Sequence, residues 1–351
     1  MVLTYIVSVL VCVISIILLR KVAHHIGAVD EPDVRKQHEQ ATPTVGGLAM
    51  FIAVFAALLI SDGLNGNVEI LMGCAATLLI LGIWDDKHNL SVKSRMMMQI
   101  ILVLVVVVDA RGTVRHLGDL FGVDIPLGIF AIPFTVLSFV GGINAFNMID
   151  GADGIAGFMA LITTLGVTTI IYVSGNTELM PLAWALTGAL GGFLLFNSRF
   201  LVKRAWIFMG NAGSLWLGLV LCWFTAQITK DSISAEPALA LWLFGIPLID
   251  TLTVMIRRVK SKRSPFRGDR THIHHVLEYN RLSVKQTMLV LIFAQLVLNG
   301  VGVLFYVTHA TGFVVFFSFL LLMAVYYYRL RHFSESLVAG SLINSDLPRS
   351  T

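Results

Sequence analysis

The chain has 351 residues, 56% of them hydrophobic and only 13% charged, with a formal net charge of +4. That balance is too apolar for a soluble domain, and at ~20 residues per crossing plus a short loop it leaves room for about ten membrane spans. The three cysteines, Cys12, Cys74 and Cys222, all lie in apolar runs, so neither a disulfide framework nor a metal-thiolate site is expected, and no nucleic-acid partner is expected either.

In chain order, eleven apolar runs are predicted to be membrane helices, at about 3–20, 44–61, 67–84, 96–110, 125–146, 155–174, 181–197, 206–228, 237–257, 287–307 and 311–330. The first has no charged leader and no small-residue cleavage site, so it is expected to be a retained span. The expected fold is all-α: a polytopic membrane helical bundle of about eleven transmembrane helices. It forms a single domain over 1–332, followed by a flexible cytoplasmic tail at 333–351.

Orientation follows from Lys and Arg alone. With residues 21–43 placed on the cytoplasmic side and the spans alternating from there, 22 of the 25 Lys and Arg fall inside. Arg111, Arg115 and Lys230 are the exceptions. This is the positive-inside pattern, and it puts the N-terminus outside and the C-terminus in the cytoplasm. It also gathers every polar cluster (30–47, 84–95, 144–154, 197–211 and 257–285) on the cytoplasmic face. An enzyme acting on a cytosolic, anionic substrate would need such an asymmetry; a structural membrane protein would not.

Asp85 and Asp86 close the third run at a helix C-terminus, where the macrodipole is already negative. They are a solvated helix end near Lys87 and Lys93, or part of a magnesium or phosphate site. Asp150 and Asp153 stand among Gly151, Gly154 and Gly157, with Asn144 and Asn147 just before them. Asp153 could simply cap the sixth helix, but the whole set suits a nucleotide or phosphate site. Met209 to Ser214 opens the eighth run, either as phosphate-binding backbone amides or as small-residue packing. Asp250, after Pro247, is either an intramembrane functional carboxylate or a partner of Arg257 or Arg258. His272, His274 and His275 lie in a basic loop with Arg267 and Arg270. They suit metal, phosphate or proton transfer, and pyrophosphate binding is favoured over zinc.

Taken in order, Pro43-Thr44-Val45-Gly46-Gly47, Asp85-Asp86, Asn144 to Gly157, Met209 to Ser214 and His272 to His275 resemble the polyprenyl-phosphate N-acetylhexosamine-1-phosphate transferases over residues 1 to about 330. The His-Ile-His-His form, after Ser264-Pro265-Phe266 and Asp269-Arg270, looks like the bacterial WecA-type branch. The resemblance implies transfer of GlcNAc-1-phosphate from UDP-GlcNAc to undecaprenyl phosphate at the bacterial inner membrane. That is the first lipid-linked step of O-antigen or similar polysaccharide synthesis. It implies a Mg2+ cofactor, with Mn2+ as a substitute, and a homodimer as one expected assembly.

It further implies catalytic roles for Asp85, Asp86, Asp150, Asp153, His272, His274 and His275. Arg35, Lys36, Asn144, Asn147, Arg267 and Arg270 would bind substrate, and Asp86, Asp153 and position 211 would bind the metal. One departure stands out: the family carries Gly-Asp where this chain has Gly210-Asn211. The rivals are a related enzyme using another UDP-N-acetylhexosamine or UDP-MurNAc-pentapeptide, and a nucleotide-sugar or organic-anion transporter. A transporter should keep its charges near the midplane and show an internal repeat. Here the charges gather at one interface and no repeat is visible.

Overall fold

The computed structural model describes residues 1–30, 41–88, 90–230, 233–264 and 271–345. Each of the eleven apolar runs coincides with one helix: α1 (Val2–Ile26), α2 (Gly46–Ile60), α3 (Gly66–His88), α4 (Val92–Val108), α5 (Ala131–Ile149), α6 (Ile155–Val173), α7 (Met180–Asn197), α8 (Gly210–Gln227) and α9 (Leu239–Lys260). After the short α10 (Ile273–Tyr279) come α11 (Val284–Val307) and α12 (Gly312–Ser345). Helices follow from the composition, because a backbone in hydrocarbon must satisfy its own N–H and C=O groups.

Eight of these helices (α1, α3, α5, α6, α7, α9, α11 and α12) are long and apolar enough to cross a membrane, which makes this a multi-pass membrane protein. The other three differ for physical reasons. At 1.5 Å per residue, the 15 residues of α2 reach about 22 Å, short of the hydrocarbon thickness. The helix α4 is similarly short. In α8 the sequence is more polar, but every residue from Ala212 to Gln227 is buried. It is the central post of the bundle, packed mainly on α3 and α5. Apolar side chains left outside, such as Leu3, Leu18, Phe293, Leu296 and Leu321, lie on α1, α11 and α12 and suit a lipid surround rather than water.

Two small antiparallel ribbons depart from the all-helical expectation. In one, β1 (Val29–Asp30) pairs with β2 (Thr42–Pro43). In the other, β3 (His116–Asp119) pairs with β4 (Asp124–Pro126). The second ribbon delays the start of α5 to Ala131, because residues 124–126 of the fifth run are spent on sheet pairing. The expected tail begins inside α12, which continues to Ser345.

Local chemistry sets the helix ends. At α1 the chain turns at Gly27 (φ 67°), and the Ala28 N–H reaches back to the Ala23 carbonyl at 2.9 Å. Ser91 caps α4 by accepting from the Ser94 N–H at 3.2 Å. Ser283 and Gln286 form a reciprocal capping box at α11.

The long helix α9 is broken at Gly245 (φ 42°), two residues before Pro247. Buried amides and a hydroxyl repair the break. Gln295 Oε1 accepts from the Ile246 N–H at 2.8 Å, and the Leu243 carbonyl accepts from Gln295 Nε2 (2.8 Å), Asn299 Nδ2 (3.0 Å) and Thr163 Oγ1 (2.9 Å). Asp250 lies on the segment beyond the break.

Candidate active site

The site forms where α3, α5 and α7 end and α8 and α11 begin. Its placement rests on close backbone packing. The Gly46 and Gly47 N–H groups donate to the carbonyls of Phe208 and Met209 at 3.0 and 3.1 Å. A side chain at Gly47 would collide with the Gly213 backbone, and one at Gly82 would collide with Ala212. These glycines let α2 and α3 grip the first turn of α8, which brings Asn211 against the acidic pair.

Asp85 and Asp86 then part company, because neighbours on a helix point about 100° apart. Asp85 is buried. It pairs with Arg95 Nη1 at 3.0 Å and accepts from the Leu90 N–H at 2.8 Å and from Asn211 Nδ2 at 3.3 Å. Asp86 is exposed into the site, where it accepts from the Asn211 backbone N–H at 3.3 Å. Asn147 Nδ2 donates to Asn211 Oδ1 and to Ser214 Oγ, both at 2.8 Å.

Six of the expected residues, Asp86, Asn147, Asp150, Asp153, Asn211 and His275, line one cavity of about 620 Å3. Two arginines join them that the sequence reading counted only for orientation. Arg199 Nε meets Asp153 at 2.8 Å, and Arg204 lines the wall. Asn197 fixes the carboxylate loop by accepting from the Gly154 N–H and donating to the Ile207 carbonyl, both at 2.8 Å. The Asp150 carboxyl is pushed up to about 7, first by burial and then by the neighbouring Asp86 and Asp153 carboxylates.

The histidines stand on a buried anchor. Asp250 Oδ2 meets His272 Nδ1 at 2.7 Å, while its Oδ1 accepts from the Ile273 N–H and the Tyr326 hydroxyl, both at 3.0 Å. Sequence reasoning left Asp250 open between a functional carboxylate and a partner of Arg257 or Arg258. The structure makes it the support of the histidine turn, while Arg257 donates to the Thr271 carbonyl at 2.7 Å. His272 and His274 lie nearly parallel with centroids 6.1 Å apart, and His275 follows at 4.1 Å from His274. His274 is buried against Gly151, where an added Cβ would sit 2.8 Å from its Nε2. Among the described residues, neither of its ring nitrogens has a hydrogen-bond partner. Burial pushes this imidazole down to about 3, with a smaller contribution from His275.

Other expected residues fall elsewhere. Asn144, three residues before Asn147, turns to Gln99 on α4 at 2.7 Å and does not line the cavity. Asp85, His272 and His274 stand behind the wall rather than in it. Arg35, Lys36, Arg267 and Arg270 lie outside the described residues.

The chemistry of the donors suits a hard divalent cation. Among the carboxylates lining the cavity, Asp86, Asp150 and Asp153 come from the motif segments and offer oxygen donors, and burial together with the neighbouring Asp86 and Asp153 charges raises Asp150. They are not drawn into a cage: among the described residues no three His, Cys, Asp or Glu side chains stand close enough together to hold a metal. Asp153 is shared with Arg199, and the Asn211 oxygen with Asn147.

Carboxylates, amides, arginines and histidines at one end of an apolar bundle define a membrane-embedded enzyme handling a phosphorylated substrate. Similarity to known proteins narrows this class. The family Glycosyl transferase family 4 matches residues 68–229. Over 292 residues the chain is 34% identical to the undecaprenyl-phosphate alpha-N-acetylglucosaminyl 1-phosphate transferase of Salmonella typhi, covering 83% of this chain and 80% of the relative. The enzyme of the same name from Escherichia coli K12 is 32% identical over the same shares. The one from Yersinia pestis is 34% identical over 81% of this chain and 79% of its own. The chain belongs to this family of membrane glycosyl-1-phosphate transferases.

Proposed function

We propose that this protein transfers GlcNAc-1-phosphate from UDP-GlcNAc to undecaprenyl phosphate, leaving undecaprenyl-pyrophosphoryl-GlcNAc in the membrane. A lipid phosphate oxygen forms a bond to the β-phosphorus. The bond from that phosphorus to the bridging oxygen breaks, and UMP leaves with the electron pair. The observation that carries this reading is the single 620 Å3 cavity shared by Asp86, Asp150, Asp153, Arg199 and Arg204 at the motif-bearing end of the bundle.

The chain's work is to position reactants and neutralise charge. Arg199, Arg204 and His275 offset phosphate charge from the cavity wall. Asp86 and Asp153 would hold a magnesium or manganese ion, with Asn211 as a neutral third donor, and that ion would supply charge neutralisation at the diphosphate. Asp85, itself paired with Arg95, acts through Asn211, whose amide it holds in place. Asp250 acts through His272 and sets the direction of the histidine turn.

The same reading gives eleven spans in a bacterial inner membrane, with the N-terminus outside and the C-terminus in the cytoplasm. The Lys and Arg distribution supports it. A cysteine at Ser174 should label from outside, and one at Lys93 should not.

The deciding experiment incubates purified protein with undecaprenyl phosphate, magnesium and a panel of UDP-sugars, reading UMP and lipid product. UDP-GlcNAc should release UMP, chelator should stop it and magnesium restore it. Release from none of the sugars refutes the proposed transfer.

A further inference from the structure

A second polar cavity, of about 750 Å3, opens at the other end of the helices. It lies beyond the C-terminal ends of α4 and α8, where Val108, Trp223 and Gln227 line it, and beside the link from α6 to α7, where Asn176 does. The 18 residues of α8 separate it from the active site by about 27 Å, close to the hydrocarbon thickness of a bilayer. Nothing in the proposed reaction uses it.

Its cations are informative. Arg111, Arg115 and Lys230 are the three Lys and Arg that the charge distribution leaves off the motif-bearing side, and all three line this cavity. They come from two separate stretches of chain, so their convergence is a property of the fold. Among the described lining residues the carboxylate is Glu178. His116, also in the lining, faces Asp124 at 2.5 Å.

The segment that carries the two arginines is held from several sides. Trp223 Nε1 donates to the Ala110 carbonyl at 2.8 Å, and Lys230 Nζ to the Thr113 carbonyl at 3.0 Å. The Val114 N–H donates to Thr135 Oγ1 at 3.0 Å, and the Leu127 N–H to the Arg115 carbonyl at 2.8 Å. Arg111 itself sits at φ 51°, a left-handed conformation unusual for a side chain of its size. Asn65, Asn67, Asn176 and Thr229 add amide and hydroxyl groups that could meet a ligand's own hydroxyls. Exposed apolar residues at the same end, Ile129, Phe130 and Tyr172, suit the interface between headgroups and hydrocarbon.

We propose that this cavity binds a phosphate-bearing, hydroxylated headgroup at the membrane face opposite the active site. Guanidinium and ammonium groups would hold the phosphate, and the amides the hydroxyls. The site is independent of the transfer reaction and does not rest on it. Two sources carry this chemistry: the headgroup of an anionic lipid, and a soluble phosphate ester.

The test compares the intact protein with Arg111→Asn/Arg115→Gln/Lys230→Gln, in which Asn tolerates the left-handed backbone at 111. The double variant Arg111→Asn/Arg115→Gln keeps the Lys230 contact and touches only exposed side chains, so it separates loss of binding from loss of fold. Nanodiscs of mixed phosphatidylglycerol and phosphatidylcholine are analysed by native mass spectrometry for retained lipid. In detergent, glycerol 1-phosphate and inorganic phosphate are titrated by calorimetry. Either retained phosphatidylglycerol or bound glycerol phosphate supports the proposal, the first assigning a lipid source and the second a soluble one. In each case binding should weaken roughly tenfold per guanidinium removed. The proposal is overturned if the intact protein shows neither preference nor binding, or if both variants bind as tightly as the intact protein.

Discussion

Replacing Asp250 by Asn changes one atom of a buried carboxylate and should disable the histidine turn. The substituted amide keeps an oxygen for the Ile273 N–H and the Tyr326 hydroxyl, both now 3.0 Å from Oδ1. It presents an NH2 group to His272 Nδ1, which lies 2.7 Å from Oδ2. Two donors cannot face each other, so the ring must rotate or exchange its tautomer. A buried hydrogen bond to a charged group contributes about 1.5–3 kcal/mol, so kcat/KM for UMP release should fall roughly 10- to 150-fold. The loss should fall on kcat, because His275 still lines the cavity and substrate can still bind. Tyr326→Phe removes one partner of Asp250 but leaves the histidine bond, so it should lower the melting temperature while turnover stays within about threefold. If Asp250→Asn retains near-normal turnover, or Tyr326→Phe damages it equally, Asp250 is packing and does not orient His272.

Asn211→Asp should behave in opposite ways with and without magnesium. Without metal it loses the amide donor to Asp85 and sets a third negative charge beside Asp85 and Asp86, so the melting temperature should drop. With metal it gains ligand charge, so half-maximal activity should need less magnesium. An unchanged magnesium requirement would show that residue 211 is no ligand. His274 predicts an acid-side loss of stability. Its folded value near 3 lies below the usual 6.5, so between those pH values the unfolded chain binds the extra proton. The contribution is whole above pH 6.5 and declines as pH falls. Melting curves from pH 7.5 to 4.5 should drop more steeply for the native protein than for His274→Gln, and parallel curves would exclude this histidine. Gly151→Ala places a methyl carbon 2.8 Å from His274 Nε2. It should cut turnover at least tenfold with little change in insertion or expression, and an unaffected rate would mean that the imidazole position is immaterial.

The sequence by itself determined the helices, because long apolar segments have one way to satisfy their backbone in a bilayer. The lopsided Lys and Arg count and the order of the motifs likewise needed no coordinates, and they pointed to one functional end. Tertiary structure decided which motif residues share a cavity. Asp85 and Asp86 are adjacent in the chain, yet one turns into the bundle toward Arg95 and the other into the cavity. Asn144 and Asn147 lie one helical turn apart on α5, yet the first meets Gln99 on α4 and the second meets Asn211 on α8. No local pattern separates the members of these pairs, since the difference lies in what packs against each side of the helix. Arg199 and Arg204 joined the site because the short link from α7 to α8 folds back over the carboxylates. Asp250 found its role only when α9 broke at Gly245 and met the turn carrying His272. Helix formation is a local consequence of composition, whereas each of these assignments depends on groups far apart in the chain meeting in space.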